Sequence, residues 1–291
     1  MKNQKGQTIL ILILVMTVAL AIGISVTQRS LSDISTSTKV EESSRAFSAA
    51  EAGIDKAVQN NTSIASPLPL GNNSTIDRVD VNDVPASLQA YEYPPLKKEE
   101  MAHVWLAHPD TLNPFYTGTT LGIYWGNATV TGAEIPAIAV TVVYLDTSNA
   151  YKSKKYFLDP LANTRNNKFD PSVTCSSSSP PSIPTSLHPL PDMQSFYCMK
   201  NICVDNSAAC LPGLRTSPNG LVLVRARLLY NNTTQSFAVN PTTGSLPRQG
   251  RKFVSTGIAG ETTRKVQVVR TDKVVLPYFD YGIFSMGEID K

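Results

Sequence analysis

The stretch GQTILILILVMTVALAIGISVTQ, residues 6–28, decides the fold, and it carries no charged side chain. A helix needs roughly 20 mainly apolar residues to cross a bilayer core, and this run has that length. Lys2 and Lys5 precede it and Arg29 follows it. Two lysines plus the amino terminus outweigh one arginine, which favours a cytoplasmic N-terminus. Everything after residue 30 would then lie outside the cytoplasm. A cleaved secretory signal is the competing reading, because Ala19-Leu20-Ala21 matches a small-x-small cleavage pattern. Such signals end an apolar stretch of about 7–15 residues with a polar break. Here the run passes through that site to Val26, so a retained single-pass anchor is the reading taken.

Working outward, residues 28–59 contain no proline and a single glycine, Gly53. Leu31, Ile34, Val40, Phe47, Ala50, Ile54 and Ala57 recur mostly at steps of three, four or their multiples, as a one-sided helical stripe requires. Glu41 and Arg45 stand four apart in the favourable order. Ser and Thr at 35–38 lower helix propensity and predict a weak or bent turn. Asn60, Asn61, Pro67 and Pro69 end the pattern. A continuous helix over 7–59 would be about 80 Å long at roughly 1.5 Å per residue. Its first half is apolar all round and its second half amphipathic.

These residues resemble a known family. A short basic leader ending in Gly6 is followed at once by an uncharged apolar helix and then a long amphipathic one, the layout of a type IV prepilin. More narrowly, Arg45-Ala46-Phe47-Ser48-Ala49-Ala50-Glu51-Ala52-Gly53 resembles the AF-AAEAG signature of PilX-like minor pilins. Leu121–Asn127, Ser255–Gly257 and Phe279–Ser285 are also similar to segments of such proteins. The resemblance implies cleavage by a prepilin peptidase after Gly6, leaving Gln7 as the mature N-terminus. It implies a bacterial inner-membrane protein whose helix first sits in lipid and later packs against other pilins, delivered by a pilus assembly platform. A surface apolar all round suits both environments. The sequence departs from major pilins at Gln7, where they carry Phe or Met, and at Ile11, where they carry Glu. In major pilins that Glu pairs with the amino terminus of a neighbouring subunit. Its replacement by Ile11 implies a rare subunit, at a tip or in a priming complex, or one retained in the membrane.

Composition bounds the remainder. Lys plus Arg is 26 and Asp plus Glu 23, a net charge of +3 without clustering, which gives no footprint for nucleic acid. Hydrophobic residues are 42% of the chain, enough to build a core and to exclude wholesale disorder. Residues 61–100 read as turn-rich, with Pro67, Pro69, Pro85, Pro94 and Pro95. A β-rich body follows. Ala137–Asp146 places Ile138, Val140, Val142 and Tyr144 on one face. Leu221–Tyr230 places Val222, Val224, Ala226, Leu228 and Tyr230 on one face and Arg225 and Arg227 on the other. Leu121–Gly126, Lys155–Leu158, Ser236–Val239, Lys252–Thr256 and Arg264–Val269 are further strands. Short connections without helical crossovers predict antiparallel pairing. The fold class is therefore α+β: a long N-terminal helix, transmembrane then amphipathic, packed on or projecting from a β-rich, mainly antiparallel, pilin-like head. The organisation is a leader at 1–6, the helix at 7–60 and an extracytoplasmic head at 61–291.

Residues 160–215, rich in Pro and Ser, read as a surface excursion that holds all four cysteines, Cys175, Cys198, Cys203 and Cys210. Four cysteines allow three pairings, and outside the cytoplasm disulfides persist. A zinc site is the alternative, but C-x4-C and C-x6-C, with His188 nearby, lack the tight knuckle spacing. No metal or other cofactor is expected. No phosphate loop, dinucleotide fingerprint, HExxH pair or nucleophile elbow occurs. His103 and His108 have no acid or nucleophile motif beside them. Tyr91, Tyr93, Trp105, Tyr116, Tyr124 and Trp125 read as packing of the sheet, with a sugar-binding surface as the alternative. The expected role is non-enzymatic: a structural minor pilin-like subunit in pilus assembly, priming or tip presentation. A minor pseudopilin of type II secretion shares the leader and helix. A membrane-anchored enzyme or sugar-binding protein is the alternative of another class, and its mark would be a convergent polar cluster in a head pocket.

Overall fold

The uncharged run and the amphipathic stretch form one uninterrupted helix, α1 (Gln7–Asn60), of 54 residues. At roughly 1.5 Å per residue it is about 80 Å long. The computed structural model describes residues 7–184, 195–272 and 274. The expected weak turn at 35–38 does not interrupt the helix: Thr36 and Thr38 donate their hydroxyls to the carbonyls of Ser32 and Ile34, at 2.9 and 3.0 Å. Back-bonding of this kind satisfies the hydroxyl without breaking the ladder.

The chain divides into two compact units, residues 1–81 with 253–268, and residues 82–252 with 269–291. The division differs from the expected boundary at residue 60, because segments on both sides of the β-rich body belong with the helix.

In the first unit, the sheet has the strand order β1-β2-β12-β13, built from β1 (Leu68–Leu70), β2 (Ser74–Val84), β12 (Gly250–Ala259) and β13 (Thr262–Thr271). β1 and β2 are antiparallel with Leu68 opposite Ile76. The two residues between β12 and β13 make a tight hairpin in which Gly260 has a φ of +56°, a region where glycine carries no Cβ penalty. Ile54, Ala57, Ile76, Val79 and Phe253 form the core. Full burial of a side chain such as Phe253 contributes about 1.5–3 kcal/mol.

The second unit has two sheets. One has the order β4-β10-β6-β7, from β4 (Met101–Trp105), β6 (Ala137–Leu145), β7 (Tyr151–Leu158) and β10 (Leu221–Leu229). The other has the order β3-β11-β5-β9-β8, from β3 (Tyr91–Leu96), β5 (Thr120–Asn127), β8 (Thr174–Cys175), β9 (Phe196–Cys203) and β11 (Gln235–Pro241). Every pairing in both is antiparallel. Their inner faces share one core, to which Leu121, Ile123 and Trp125 contribute from one side and Val140, Val142, Val224 and Leu228 from the other. The outer face of the five-stranded sheet is covered as well, by a cluster of Tyr124, Phe196, Ala238 and Ile183.

Three expectations are corrected. Residues 61–100 contain β1, β2 and β3 and are not simply turns. Pro94 and Pro95 fit inside β3 because it is an edge strand, where a missing N–H costs no ladder bond. Residues 196–203, read as part of a surface excursion, are β9, paired with β5 and fully burying Cys198. In β10 the register shifts between Leu221 and Leu223. The bulge brings Leu221 into the core in place of Val222, and Tyr230 lies beyond the strand with a φ of +65°.

The loops of this unit are held by short polar clamps. In the β6–β7 turn the Asp146 carboxylate accepts the amides of Ser148 and Ala150, at 2.8 and 2.9 Å, and pairs with Lys152 at 2.9 Å. Lys152 first, and then these amides, hold its pKa below the ordinary value. Asp159, fully buried, accepts from Arg165 at 2.8 Å and Asn167 at 2.6 Å, as a buried carboxylate requires. The short helix α2 (Ala162–Arg165) presents Arg165, whose guanidinium also covers the Tyr230 ring at 4.5 Å.

Candidate functional site

Among the described residues, nothing covers the first half of α1. Every described side chain from Ile9 to Glu41 is exposed, including Ile9, Leu10, Ile11, Leu12, Ile13 and Leu14. A hydropathy window in this helix reaches 3.0, and it is the one helix among the described residues long and apolar enough to cross a membrane. Two threonines of the apolar half, Thr17 and Thr27, are satisfied internally. Thr17 donates to the Leu14 carbonyl at 2.9 Å and Thr27 to the Gly23 carbonyl at 2.8 Å. Neither hydroxyl therefore needs water, which is what an apolar surrounding demands. Gln7 is the first helical residue; Gly6 lies outside the described residues.

The last third of α1 behaves differently. Ala46, Ala49, Ala50, Gly53, Ile54 and Ala57 are buried, a stripe at helical spacing. Phe47 and Glu51 of the same motif are exposed, and Ala52 is partly buried. The expected stripe of Leu31, Ile34, Val40 and Phe47 is solvent-facing; only its Ala50, Ile54 and Ala57 are packed. The buried stripe is small because the sheet lies close. A Cβ on Gly257 would run into the Ala46 carbonyl oxygen, and one on Gly53 would meet Ser255 Oγ, with Cγ2 of Ile76 and of Val79 each at 3.0 Å. At the hairpin, a Cβ on Gly260 would meet the Glu42 carboxylate. Polar contacts lock the same edge. Arg264 reaches Ser43 Oγ through Nε at 2.9 Å and Nη2 at 2.6 Å, and Thr262 donates to Glu42 at 3.3 Å. Arg45 pairs with Glu41 at 3.5 Å, four residues back.

The sequence motif thus marks a helix–sheet joint. Its other half is Ser255, Gly257 and Gly260. Ser255–Gly257 was legible only as a segment similar to those of PilX-like proteins, with no sign that it meets the helix, and Gly260 only as strand punctuation.

The four cysteines form two disulfides in the second unit, Cys175–Cys198 and Cys203–Cys210. Cys175 and Cys198 are directly opposite in the β8–β9 pair, with their Cα atoms 4.1 Å apart. That bond staples a two-residue edge strand that has little pairing of its own. The Cys203–Cys210 bond closes the loop after β9, and Tyr156 donates its hydroxyl to the Cys203 carbonyl at 2.9 Å. The zinc alternative needed these thiols, and all four are oxidised. Among the described residues no three His, Cys, Asp or Glu side chains converge on a metal position; His188 lies outside them.

The aromatic residues that offered a sugar surface are mostly internal. Tyr116 and Trp125 are fully buried, Tyr91 and Tyr124 nearly so, and Trp125 donates to the Pro136 carbonyl at 2.9 Å. His103 is buried on β4, whereas His108 is exposed. Phe279–Ser285 falls outside the described residues. No family model matches the sequence, and no curated protein or solved structure matches the chain.

Proposed function

We propose that the chain is a membrane-anchored, PilX-like minor pilin, acting in the assembly, priming or tip presentation of a type IV pilus. The observation that carries this reading is the division of labour along α1. From Ile9 to Val26 it presents almost only apolar side chains, on every side and with no partner among the described residues, and its last third is clamped to a sheet through small residues. A helix with such a free half needs an apolar environment supplied from outside. Lipid supplies one before assembly, and the helices of other pilin subunits supply one afterwards. The clamp ties the helix to the sheet of its own unit through backbone-close contacts, as a filament subunit requires.

In this reading a prepilin peptidase removes residues 1–6, the N-terminus of the precursor is cytoplasmic, and the β-rich part lies outside the inner membrane. Ile11 removes the carboxylate that pairs subunits in register, so the chain enters filaments rarely, at the tip or in a priming complex. Mass spectrometry of sheared, purified filaments tests this. The expected result is a peptide beginning at Gln7, at a small fraction of the major subunit. A ratio near one would overturn the tip or priming role, and complete absence from both filaments and their priming complexes would overturn the pilin assignment.

A further inference from the structure

A cleft of about 520 Å³ opens within the second unit, lined by residues 83–87, 108–115 and 245–248. Its volume lies in the roughly 300–1,000 Å³ range of small-molecule sites. The lining divides into two kinds of surface. Phe115, Pro85, Pro109 and Leu246 are apolar, and the Phe115 ring, 38% exposed, meets the His108 ring edge-on with 4.8 Å between centroids. Arg248 anchors the polar part. Its Nε lies 3.0 Å from Asp272 and its Nη2 3.3 Å from Asp110. Nearby, Arg251 Nε lies 3.3 Å from Asp83. The hydroxyls of Ser87 and Ser245 are 3.2 Å apart, and Ser245 Oγ accepts the Leu88 amide at 3.0 Å.

This arrangement selects among ligands. Asp83, Asp110 and Arg248 line the cleft, and Asp272 and Arg251 flank it, so each of these charges already has an opposite partner before any ligand arrives. An ionic ligand would have to break those pairs, leaving a charge without its partner. What the cleft still offers is directional: carboxylate lone pairs, parallel N–H groups and two adjacent hydroxyls, beside a flat apolar wall. Carboxylates and guanidinium groups each present paired hydrogen-bonding atoms at fixed spacing. Neighbouring hydroxyls on a ring match that spacing, while the C–H face of the ring matches the Phe115 side. The ion pairs with Asp272 and Asp110 hold the Arg248 guanidinium in place. Because the polar groups are already mutually oriented, little ordering cost remains for binding.

We propose that this cleft binds a neutral monosaccharide unit, with Arg248, Asp110 and the Ser87–Ser245 hydroxyls bonding to its ring hydroxyls and Phe115 packing on its C–H face. The proposal stands apart from filament assembly, since none of these residues belongs to α1 or its clamp.

Saturation-transfer NMR on the full chain in lipid nanodiscs, free of glycoside detergents, tests it. The probes are methyl glycosides of glucose, galactose, mannose and N-acetylglucosamine, with methyl glucuronide as the charged comparison. Transfer to the ring protons of at least one neutral glycoside is expected, weakened at least tenfold by Phe115→Ala. Ala86 is exposed in the cleft wall, so Ala86→Trp fills the site without disturbing the core and is expected to abolish transfer. It decides the question should Phe115→Ala lose its fold. Absence of transfer from every neutral glycoside, transfer unchanged in Ala86→Trp, or tighter binding of the glucuronide than of any neutral probe would each overturn the proposal.

Discussion

Gly257 on β12 leaves no space between itself and Ala46 on α1: an added Cβ would overlap the Ala46 carbonyl oxygen and stand 2.6 Å from the Ala50 amide nitrogen. Both obstacles are backbone, so no rotamer change relieves them. Gly257→Ala is therefore expected to push the helix off the sheet at a cost of about 1–3 kcal/mol or more, the range for overpacking a close-packed site. Thermal unfolding should register the loss, and limited proteolysis should find new cleavage within residues 42–57. An unchanged melting temperature and cleavage pattern would show that the helix does not sit as described.

Gly53 meets a different obstacle, the Ser255 hydroxyl, a side-chain atom. That hydroxyl is fully buried and has no hydrogen-bond partner among the described residues. Removing an unsatisfied buried polar group is nearly neutral or stabilising, so Ser255→Ala alone should not reduce stability. Gly53→Ala alone should cost about 1–3 kcal/mol. The double variant should recover part of that loss, although Ile76 and Val79 still crowd the site. Strict additivity in the double-mutant cycle would deny that the two residues touch.

The disulfides close loops of unequal size, with sequence separations of 23 for Cys175–Cys198 and 7 for Cys203–Cys210. Loop-closure entropy assigns about 3.4 kcal/mol to the longer and about 2.5 kcal/mol to the shorter. Replacing each pair by serine should lower stability in that order, with denaturant midpoints as the readout. Non-reducing peptide mapping should recover these two linkages; a Cys175–Cys203 or Cys175–Cys210 peptide would contradict the pairing.

The Asp146 carboxyl, with its pKa lowered by Lys152 and two turn amides, makes the β6–β7 turn acid-sensitive. A carboxyl whose folded pKa is depressed stabilises the protein above its unfolded value, near 3.9, and loses that contribution as pH falls through the folded value. Asp170 and Asp205 are shifted in the same direction, chiefly by Ser172 and Ser207. Stability should thus be steady from neutral pH down to about 5 and decline below about 4. Asp146→Asn should lower the neutral plateau and flatten that decline. A variant that follows the wild-type acid limb in urea titrations would remove Asp146 from the explanation.

Legibility in the sequence tracked how far each signal was local. Ala137–Asp146 alternates cleanly, and β6 spans Ala137–Leu145 with the expected residues buried. The apolar run of α1 needed only hydropathy. The joint on its last third was misread because the packed residues are Ala and Gly, which score weakly as core, while Leu31, Val40 and Phe47 score strongly and face outward. What makes small residues correct there is the approach of β12, some 200 residues away in the chain, and no local pattern carries it. β9 was hidden for a similar reason. Its buried Phe196, Cys198 and Ile202 are interleaved with Lys200 and Asn201 and surrounded by Pro and Ser. The cleft at Arg248 joins loops from three distant segments, so only the fold assembles it.

The apolar half of α1 yields the sharpest test of location. Val18 lies near the middle of the uncharged run and is exposed, so a bilayer is the surrounding that would cover it. An arginine at the centre of a spanning helix costs roughly 2.5–3.5 kcal/mol for insertion. Near the helix end, a long cationic side chain reaches the interface and the cost falls away. Leu31 lies two residues beyond Arg29, in the interfacial position of such a span. Leu31→Arg should therefore leave insertion intact while Val18→Arg impairs it, even though both side chains are exposed, at 63% and 52%. Alkaline extraction of membranes expressing the tagged chain supplies the measurement. Wild type and Leu31→Arg should stay in the pellet, and Val18→Arg should move substantially to the supernatant. If both variants partition alike, depth in a bilayer is not what distinguishes the two positions, and the helix is not a span centred near residue 18.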